Sequence, residues 1–311
     1  MEIDLLSRLN RETWAGLAAI NAAAVIFGSS ALFGKLDVSP VWIVAGRAAF
    51  AATTLAMLAL IRRVSLRVDS GDATRIAVAG VLLALHWVTF FKAVQDSGVA
   101  VATLTFAAFP LFTVLFESIM RRRVPDIFEL ASGLTIVFAV SLLVGPGLPA
   151  TAMAEQGAVA GLLSAGLFAG FSIVSQRLGQ KQSAIALSIY QNVTVVLFLL
   201  VALPFGARLP QGADWAAIAV LGVFATALMH QLYFFSLKRL PAAVCAGFVA
   251  LEPVYAITFA AILFSEPIGR IALMSGVLIF GATLAILFRS KKILITAQII
   301  TDSQNWDANP R

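Results

Sequence analysis

Ten apolar runs, each close to 20 residues long, dominate the sequence. A helix of about 20 residues is just long enough to cross the hydrocarbon core of a bilayer. Charged residues make up only 12% of the chain, against about 25% in soluble domains, so these runs are suited to lipid. An all-α membrane protein with ten transmembrane helices is predicted. The predicted spans are 14–36, 40–61, 74–95, 99–120, 126–145, 157–178, 183–205, 213–236, 241–264 and 267–288.

The Lys and Arg residues between these runs are unevenly distributed. If the N-terminus is cytoplasmic, 16 of them fall on the cytoplasmic side and only four, Lys35, Lys92, Arg208 and Arg270, on the other. Because basic loops are retained in the cytoplasm, this bias predicts a multi-pass protein of the bacterial inner membrane with both termini cytoplasmic. The basic residues form short clusters and no separate basic domain, so nucleic-acid binding is not expected.

The second half of the chain repeats features of the first at a nearly constant spacing. His86 and His230 are 144 residues apart, and Pro110 and Pro253 are 143 residues apart. Each half holds five predicted spans, and because five is odd, the second copy must enter the membrane upside down. Two five-helix inverted-topology repeats around a central cavity are therefore predicted. The predicted divisions are a cytoplasmic N-terminal segment (1–13), the first repeat (14–145), the inverted repeat (157–288) and a cytoplasmic tail (289–311).

Few ionisable side chains lie deep within the predicted spans, where each one costs free energy. His86 lies near the middle of the third span, His230 in the eighth, Glu252 in the ninth and Arg47 in the second. The histidines and the glutamate either line a substrate pathway, where they could bind substrate or carry a proton, or make hydrogen bonds between helices. Arg47 either attracts a carboxylate or extends its charge to the membrane surface.

Aromatic and proline residues extend this candidate pathway. Trp87 follows the first histidine directly and Tyr233 lies three residues after the second, so both are predicted to line a pocket. Tyr190, in a polar stretch of the seventh span, is a further candidate. Pro110 and Pro253 each remove a backbone hydrogen bond and are predicted to kink their helices. Paired kinks suit a cavity or a hinge, although simple packing would also explain them.

The motifs of nucleotide-driven pumps and of enzymes are missing from the sequence. The run Gly145-Pro146-Gly147 is not followed by the Lys-Ser or Lys-Thr of a phosphate-binding loop. One cysteine, Cys245, and two histidines without the spacing of a zinc site argue against a metal centre. We therefore expect a protein that is not an enzyme and that uses neither a metal nor a cofactor.

The run Leu251-Glu252-Pro253-Val254-Tyr255, followed by Phe264-Ser265-Glu266-Pro267 and Gly276, resembles the drug/metabolite transporter superfamily in its EamA-like branch. The first half carries the matching stretch from Phe109-Pro110-Leu111 to Gly133, so the resemblance covers about 14–288. One departure is Arg121-Arg122-Arg123, where the branch often has an acidic residue. Within the branch the chain looks most like bacterial aromatic amino-acid exporters. The resemblance implies a ten-helix basket with a central cavity and export driven by a gradient.

Together these features predict an exporter of amino acids, aromatic and other neutral ones, that works by alternating access. An exporter of cationic drugs or other polar metabolites is the alternative, with Glu252 as the cation site. A membrane enzyme or scaffold would instead require an acid-base or metal cluster at one interface, and the sequence shows none. Proton coupling through His86, His230 or Glu252 and facilitated diffusion are both open at this point.

Overall fold

The computed structural model describes residues 11–144, 151–202, 208–249, 251–265, 269–282 and 285. The predicted tail (289–311) and Glu266 and Pro267 of the resemblance motif lie outside these residues. The described part of the chain is helical and contains no strand. Its helices are α1 (Arg11–Ala31), α2 (Pro40–Ile61), α3 (Ser70–Phe106), α4 (Phe109–Arg121), α5 (Ile127–Val144), α6 (Ala152–Gly179), α7 (Ala184–Ala202), α8 (Ala213–Leu237), α9 (Ala242–Val249), α10 (Glu252–Phe264) and α11 (Arg270–Ala282).

Six helical segments in the described residues are long and apolar enough to cross a membrane. They are α1 with its 3₁₀ extension to Lys35, α2, α3, α6, α7 and α8, while α5, α10 and α11 are shorter apolar helices. Large apolar side chains on the outside, such as Leu60, Val201 and Ile262, are more than 70% exposed. An apolar exterior of this kind is compatible with lipid and not with water, so the architecture fits a multi-pass membrane protein.

Local signals explain where several helices begin and bend. The Asp69 side chain accepts a hydrogen bond from the Gly71 N–H at the start of α3, and Thr151 accepts one from Ala154 at the start of α6. Within α3, Gly98 has φ +83°, which glycine adopts without the penalty of a side chain. The backbone at Gly98 is non-helical, so α3 consists of two helical parts that meet in a kink at the end of the connector predicted around residues 95–98; the next interruption comes after Phe106.

Helices α4 and α10 have the same design. Each has 13 residues, each has proline at its second position, and their first residues, Phe109 and Glu252, are 143 positions apart. Each ends at a residue in the left-handed conformation, Arg122 (φ +49°) or Ser265 (φ +54°). Pro110 and Pro253, which were predicted to kink continuous spans, lie instead in the first turns of separate helices, where the missing N–H costs little.

The long helices pack around a shared interior. Helix α3 packs along α6, α2 packs on α7 and α8, and α1 packs on α8 and α10. Their contact surface is one cluster of buried apolar side chains in which phenylalanines from α1, α3, α4, α6 and α8 meet. Because this cluster is built from both halves of the chain, the residues that define the candidate site come from helices distant in sequence.

Candidate functional site

A group of buried ring side chains, here called the aromatic centre, fills the middle of the helix assembly. The rings lie face to face or edge to face: His86 is 4.7 Å from Phe168, Trp87 is 5.5 Å from His230, and Phe168 is 5.8 Å from Tyr233, all between ring centroids. The aromatic centre consists of Phe27, His86, Trp87, Phe106, Phe109, Phe168, Phe171, His230, Tyr233 and Phe234. Four predicted pathway residues are thus brought together.

His86 is held by the neighbouring helix α6. Its Nδ1 lies 2.7 Å from the Ser164 hydroxyl oxygen and 3.2 Å from the Ser164 carbonyl oxygen. The Ser164 hydroxyl donates in turn to the His86 carbonyl at 3.1 Å. Because that hydroxyl has one proton, Nδ1 must be the donor to Ser164, which leaves Nε2 as the acceptor nitrogen. His86 therefore makes a hydrogen bond between two helices, which was one of the two roles predicted for it. Its partner, Ser164, was not among the residues selected from the sequence.

His230 has a different environment from His86. Its ring is stacked on Trp87 with an angle of 18° between the planes, and it also contacts Phe171. Both of its ring nitrogens are buried without a hydrogen-bond partner. A buried polar atom without a partner is costly, so a water molecule or a ligand that bonds to this ring would recover free energy.

Arg47 enters the aromatic centre from α2 and is 1% exposed. Its Nε donates to the Thr226 hydroxyl at 2.9 Å and its Nη2 to the Ala225 carbonyl at 3.2 Å. Both partners belong to a π-helical segment of α8, Val223–Leu228, a distortion often found at functional sites. The guanidinium carbon lies 4.0 Å from the centre of the Trp87 ring. These contacts hold the cation inside the bundle, contrary to the alternative in which it extends to the membrane surface.

Glu252, the first residue of α10, is 1% exposed, and its Oε2 is buried without a hydrogen-bond partner. Arg47 and Glu252 interact electrostatically, and no direct salt bridge joins these two residues in the described part of the chain. A basic and an acidic side chain are therefore buried within electrostatic range of each other without direct contact, and the basic one, Arg47, also lies against Trp87. Such a pair is expensive inside a membrane protein and is a mark of function.

Two glycines allow the backbones around these charges to approach closely. A Cβ on Gly28 of α1 would lie 2.9 Å from the Ala256 nitrogen and 3.1 Å from the Glu252 carbonyl oxygen. A Cβ on Gly222 of α8 would lie 2.7 Å from the Arg47 carbonyl oxygen. The positions of both charged residues thus depend on glycine in a neighbouring helix, as is common where membrane helices pack tightly.

Tyr190 is not part of the aromatic centre. It is 38% exposed on α7, and its hydroxyl donates to the Leu66 carbonyl at 2.9 Å. Its neighbour Gln191 points inward instead and donates to the Ser175 hydroxyl at 3.0 Å. Tyr233, in contrast, is fully buried and its hydroxyl donates to Ser172 at 2.8 Å.

The aromatic centre is closed in this structure. Four cavities of about 340 to 750 Å³ are lined by residues outside the aromatic centre, toward the ends and flanks of the bundle. Ring side chains occupy the region where the repeat predicted a central cavity. No group of three or more His, Cys, Asp or Glu side chains suited to a metal ion occurs in the residues described.

A multi-pass helical membrane protein with a buried arginine and a buried glutamate beside an aromatic interior is the class of protein that these features define. The profile of the EamA-like transporter family matches residues 14–145 and again 156–288, so the chain belongs to the EamA-like transporter family. The resemblance to the drug/metabolite transporter superfamily is therefore confirmed at the level of this family.

Two curated relatives, both from Bacillus subtilis (strain 168), are described as uncharacterized transporters. YxxF is 24% identical over 232 residues, covering 73% of this chain and 74% of its own. YetK is 23% identical over 290 residues, covering 88% of this chain and 87% of its own. A solved structure described as "Crystal structure of protein" has a TM-score of 0.68 and 19% identity over 90% of this chain and 98% of its own. That likeness shows a shared fold.

Proposed function

We propose that this EamA-family transporter exports amino acids, aromatic and other neutral ones, across the bacterial inner membrane by alternating access. The observation that carries the proposal is the buried pair of Arg47 and Glu252, which interact electrostatically without a direct salt bridge. A zwitterion has the complementary arrangement. Its carboxylate suits the Arg47 guanidinium, which favours planar anions, and its ammonium suits the Glu252 carboxylate, whose Oε2 lacks a partner.

The surroundings of this charge pair favour an apolar or aromatic side chain on the substrate. Trp87 and Phe171 present ring faces to His230, and Phe168 stacks on Phe171; ring–ring contacts contribute about 0.5–1.5 kcal/mol beyond burial. Ring side chains that now contact each other would separate to admit a substrate and contact it instead. The unpartnered nitrogens of His230 supply an additional polar contact.

We also propose ten membrane spans arranged as two inverted five-helix repeats. The family profile matches the chain twice, once in each half. The 143-residue spacing of the matching helices α4 and α10 supports the same arrangement. The basic bias in the sequence supports cytoplasmic locations for both termini in this arrangement. Alternating access then follows from rocking one repeat against the other around the charge pair.

Export of a lipophilic cation or another polar metabolite is the second candidate function. Its support is Glu252 alone, because a carboxylate in an aromatic pocket also suits a cation that has no carboxylate of its own. In that case Arg47 would contribute structure only. The two candidates therefore differ in what they require of Arg47.

Transport by the purified protein in liposomes separates the two candidates. For amino-acid export, labelled phenylalanine is transported, and Arg47→Gln and Glu252→Gln each reduce the rate strongly. For cation export, ethidium is transported, Glu252→Gln abolishes its movement and Arg47→Gln leaves it intact. Arg62→Gln, which removes an exposed arginine outside the aromatic centre, is the matched control. Failure to transport phenylalanine and other neutral amino acids would refute the first candidate.

Proton coupling is proposed as the driving force, because His86, His230 and Glu252 are ionisable groups within the spans. An imposed pH gradient across the same liposomes should accelerate phenylalanine transport. A rate that is indifferent to the gradient would instead indicate facilitated diffusion.

A further inference from the structure

A cleft of about 590 Å³ lies on the flank of the bundle between α3, α4 and α6, apart from the aromatic centre. Its walls are apolar and include Leu82, Phe116, Ile173 and Val174. Gly170 lies on its α6 side, where a Cβ would meet Leu82 at an ordinary distance of 3.5 Å. Ile119 and Met120, which also line the cleft, are exposed on the outside of α4, so an apolar cleft here suits a hydrocarbon chain better than water.

The length of the cleft matches one leaflet. Along α6 it extends from Gly170 to the end of the helix at Gly179, which is about 14 Å at 1.5 Å per residue. The hydrocarbon core of a bilayer is about 30 Å thick, so the cleft extends from near the bilayer centre to one membrane surface. A chain inserted there would enter from a single leaflet.

Three basic side chains, Arg75, Arg177 and Lys181, line the cleft toward its surface end. Arg75 is bonded to Asp72 at 3.0 Å, and Asp72 also accepts a hydrogen bond from Gln182. Arg177 and Lys181 are exposed, and neither has a salt-bridge partner within the described residues. A further acid, Glu117, interacts electrostatically with Arg177 and also with Arg121 and Arg123, so the surface end of the cleft keeps an excess of positive charge.

We propose that this cleft binds an anionic phospholipid, with an acyl chain along the apolar walls and the phosphate group between Arg177 and Lys181. The pattern of an apolar groove ending in a basic cluster is complementary to a lipid with negative charge at one end. The cleft joins α3 and α4 of the first half to α6 of the second. A bound lipid therefore bridges the two halves and stabilises the arrangement seen in this structure.

Native mass spectrometry of the full chain, after delipidation in detergent, tests the proposal. Equal amounts of phosphatidylglycerol and phosphatidylcholine with identical acyl chains are added, and the ratio of bound lipids is measured. Phosphatidylglycerol should be retained in excess by the wild type. Each basic residue near a membrane surface contributes enough attraction for a roughly fivefold effect, so Arg177→Gln with Lys181→Gln should reduce the preference about 25-fold. Inorganic phosphate at the same concentration should not displace the lipid.

Matched variants separate this cleft from a general attraction of anionic lipid to a basic protein. Arg62→Gln with Arg67→Gln removes the same charge from exposed sites outside the cleft and should preserve the preference. Gly170→Leu should fill the cleft and reduce retention of both lipids, while Gly170→Ala should not. If Gly170→Leu does not fold, the charge variants decide alone. Equal retention of the two lipids by the wild type, or an equal loss in the control double variant, would overturn the proposal.

Discussion

Helices α4 and α10 begin with the same backbone geometry and with opposite chemistry. The first residue of α4 is Phe109, which stacks on Phe106 at 6.0 Å and contacts Phe168 at 4.8 Å. The first residue of α10 is Glu252, whose carboxylate is equally buried but has an unpartnered oxygen. Two helices of the same length and the same proline position therefore begin with different side chains, and only one of these is ionisable.

Helices α2 and α7 make a second comparison of this kind. A Cβ on Gly222 would lie 2.7 Å from the carbonyl oxygen of Arg47, and a Cβ on Gly80 would lie 2.9 Å from that of Gln191. The backbone contacts match, yet the first half contributes the cation Arg47 where the second half contributes a neutral amide. The acidic side chain, Glu252, comes from the second half of the chain, and the basic one, Arg47, comes from the first half. This difference between the halves brings an acid and a base together in one candidate site.

The largest effect on transport is expected when the carboxylate that distinguishes the start of α10 from the start of α4 is replaced by an amide. Glu252→Gln should lower phenylalanine transport about fiftyfold, because a charge-assisted hydrogen bond to the substrate contributes about 2–3 kcal/mol. The measurement is initial uptake into liposomes at matched protein content. Glu155→Gln, in the first turn of α6 and exposed, should transport normally. If Glu252→Gln retained full activity, the role of the charge in transport would be disproved.

Replacing Gly222 or Gly80 by alanine tests whether the two halves have similar backbone packing but different roles in transport. Gly222→Ala and Gly80→Ala should each destabilise the protein by about 1–3 kcal/mol, since each added Cβ would overlap a neighbouring helix. Thermal unfolding in detergent measures this loss, with Gly170→Ala as the control.

Transport should separate these two glycine variants further. Gly222→Ala displaces the Arg47 backbone and should reduce uptake by the folded fraction, whereas Gly80→Ala displaces Gln191 and should reduce it less. Equal uptake by the two variants would argue against an asymmetric site.

Replacement by phenylalanine should affect stability at His86 and transport at His230. His86→Phe leaves Ser164 without its ring partner and should cost about 1–2 kcal/mol of stability. His230→Phe keeps the stacking on Trp87 and removes two unpartnered nitrogens, so its stability should be unchanged, while transport falls about tenfold. Unfolding and uptake measured on the same preparations test both statements. A large loss of stability in His230→Phe would show that this ring has a structural role instead.

The smallest effects are expected at the two tyrosines. Tyr233→Phe removes a buried hydrogen bond to Ser172 and should slow transport about threefold, consistent with roughly 0.6 kcal/mol. Tyr190→Phe removes a bond to the Leu66 carbonyl at the outer surface and should leave the uptake rate unchanged. Initial rates at saturating phenylalanine provide the comparison. A greater loss in Tyr190→Phe than in Tyr233→Phe would reverse the assignment of the pathway.

Several helix limits could be predicted from local sequence because their causes are local. The predicted span 40–61 coincides with α2, which begins at Pro40 after Ser39 and ends at Ile61 before two basic residues, Arg62 and Arg63. The interruption at residues 107–108 and the π-helical segment Val223–Leu228 were not predicted. Pro110 gave a local signal for a kink but not for a separate helix, and the π-helical segment has no turn motif of its own.

The candidate site was predicted only as a set of residue types. His86, Trp87, His230, Tyr233, Arg47 and Glu252 were selected because ionisable and large polar groups are rare within the spans. The structure joins the first five through ring contacts and puts Glu252 within electrostatic range of Arg47. Ser164 and Thr226 escaped selection, because small hydroxyl residues are common in membrane helices and usually bond to their own backbone. Tyr190 was selected by its polar neighbours, and its side chain lies on the other face of α7.

By itself the sequence determined that this chain forms apolar helices suited to a membrane, because length, hydropathy and capping act over a few neighbouring residues. It also determined the 143-residue spacing of α4 and α10, because each of these helices has a proline at its second position and the two prolines are 143 residues apart. Tertiary structure alone decided that Arg47 and Glu252 lie within electrostatic reach, that Ser164 orients His86, and that ring side chains close the centre. These outcomes depend on which helix faces meet, and that is set by packing between segments as far apart as α2 and α10.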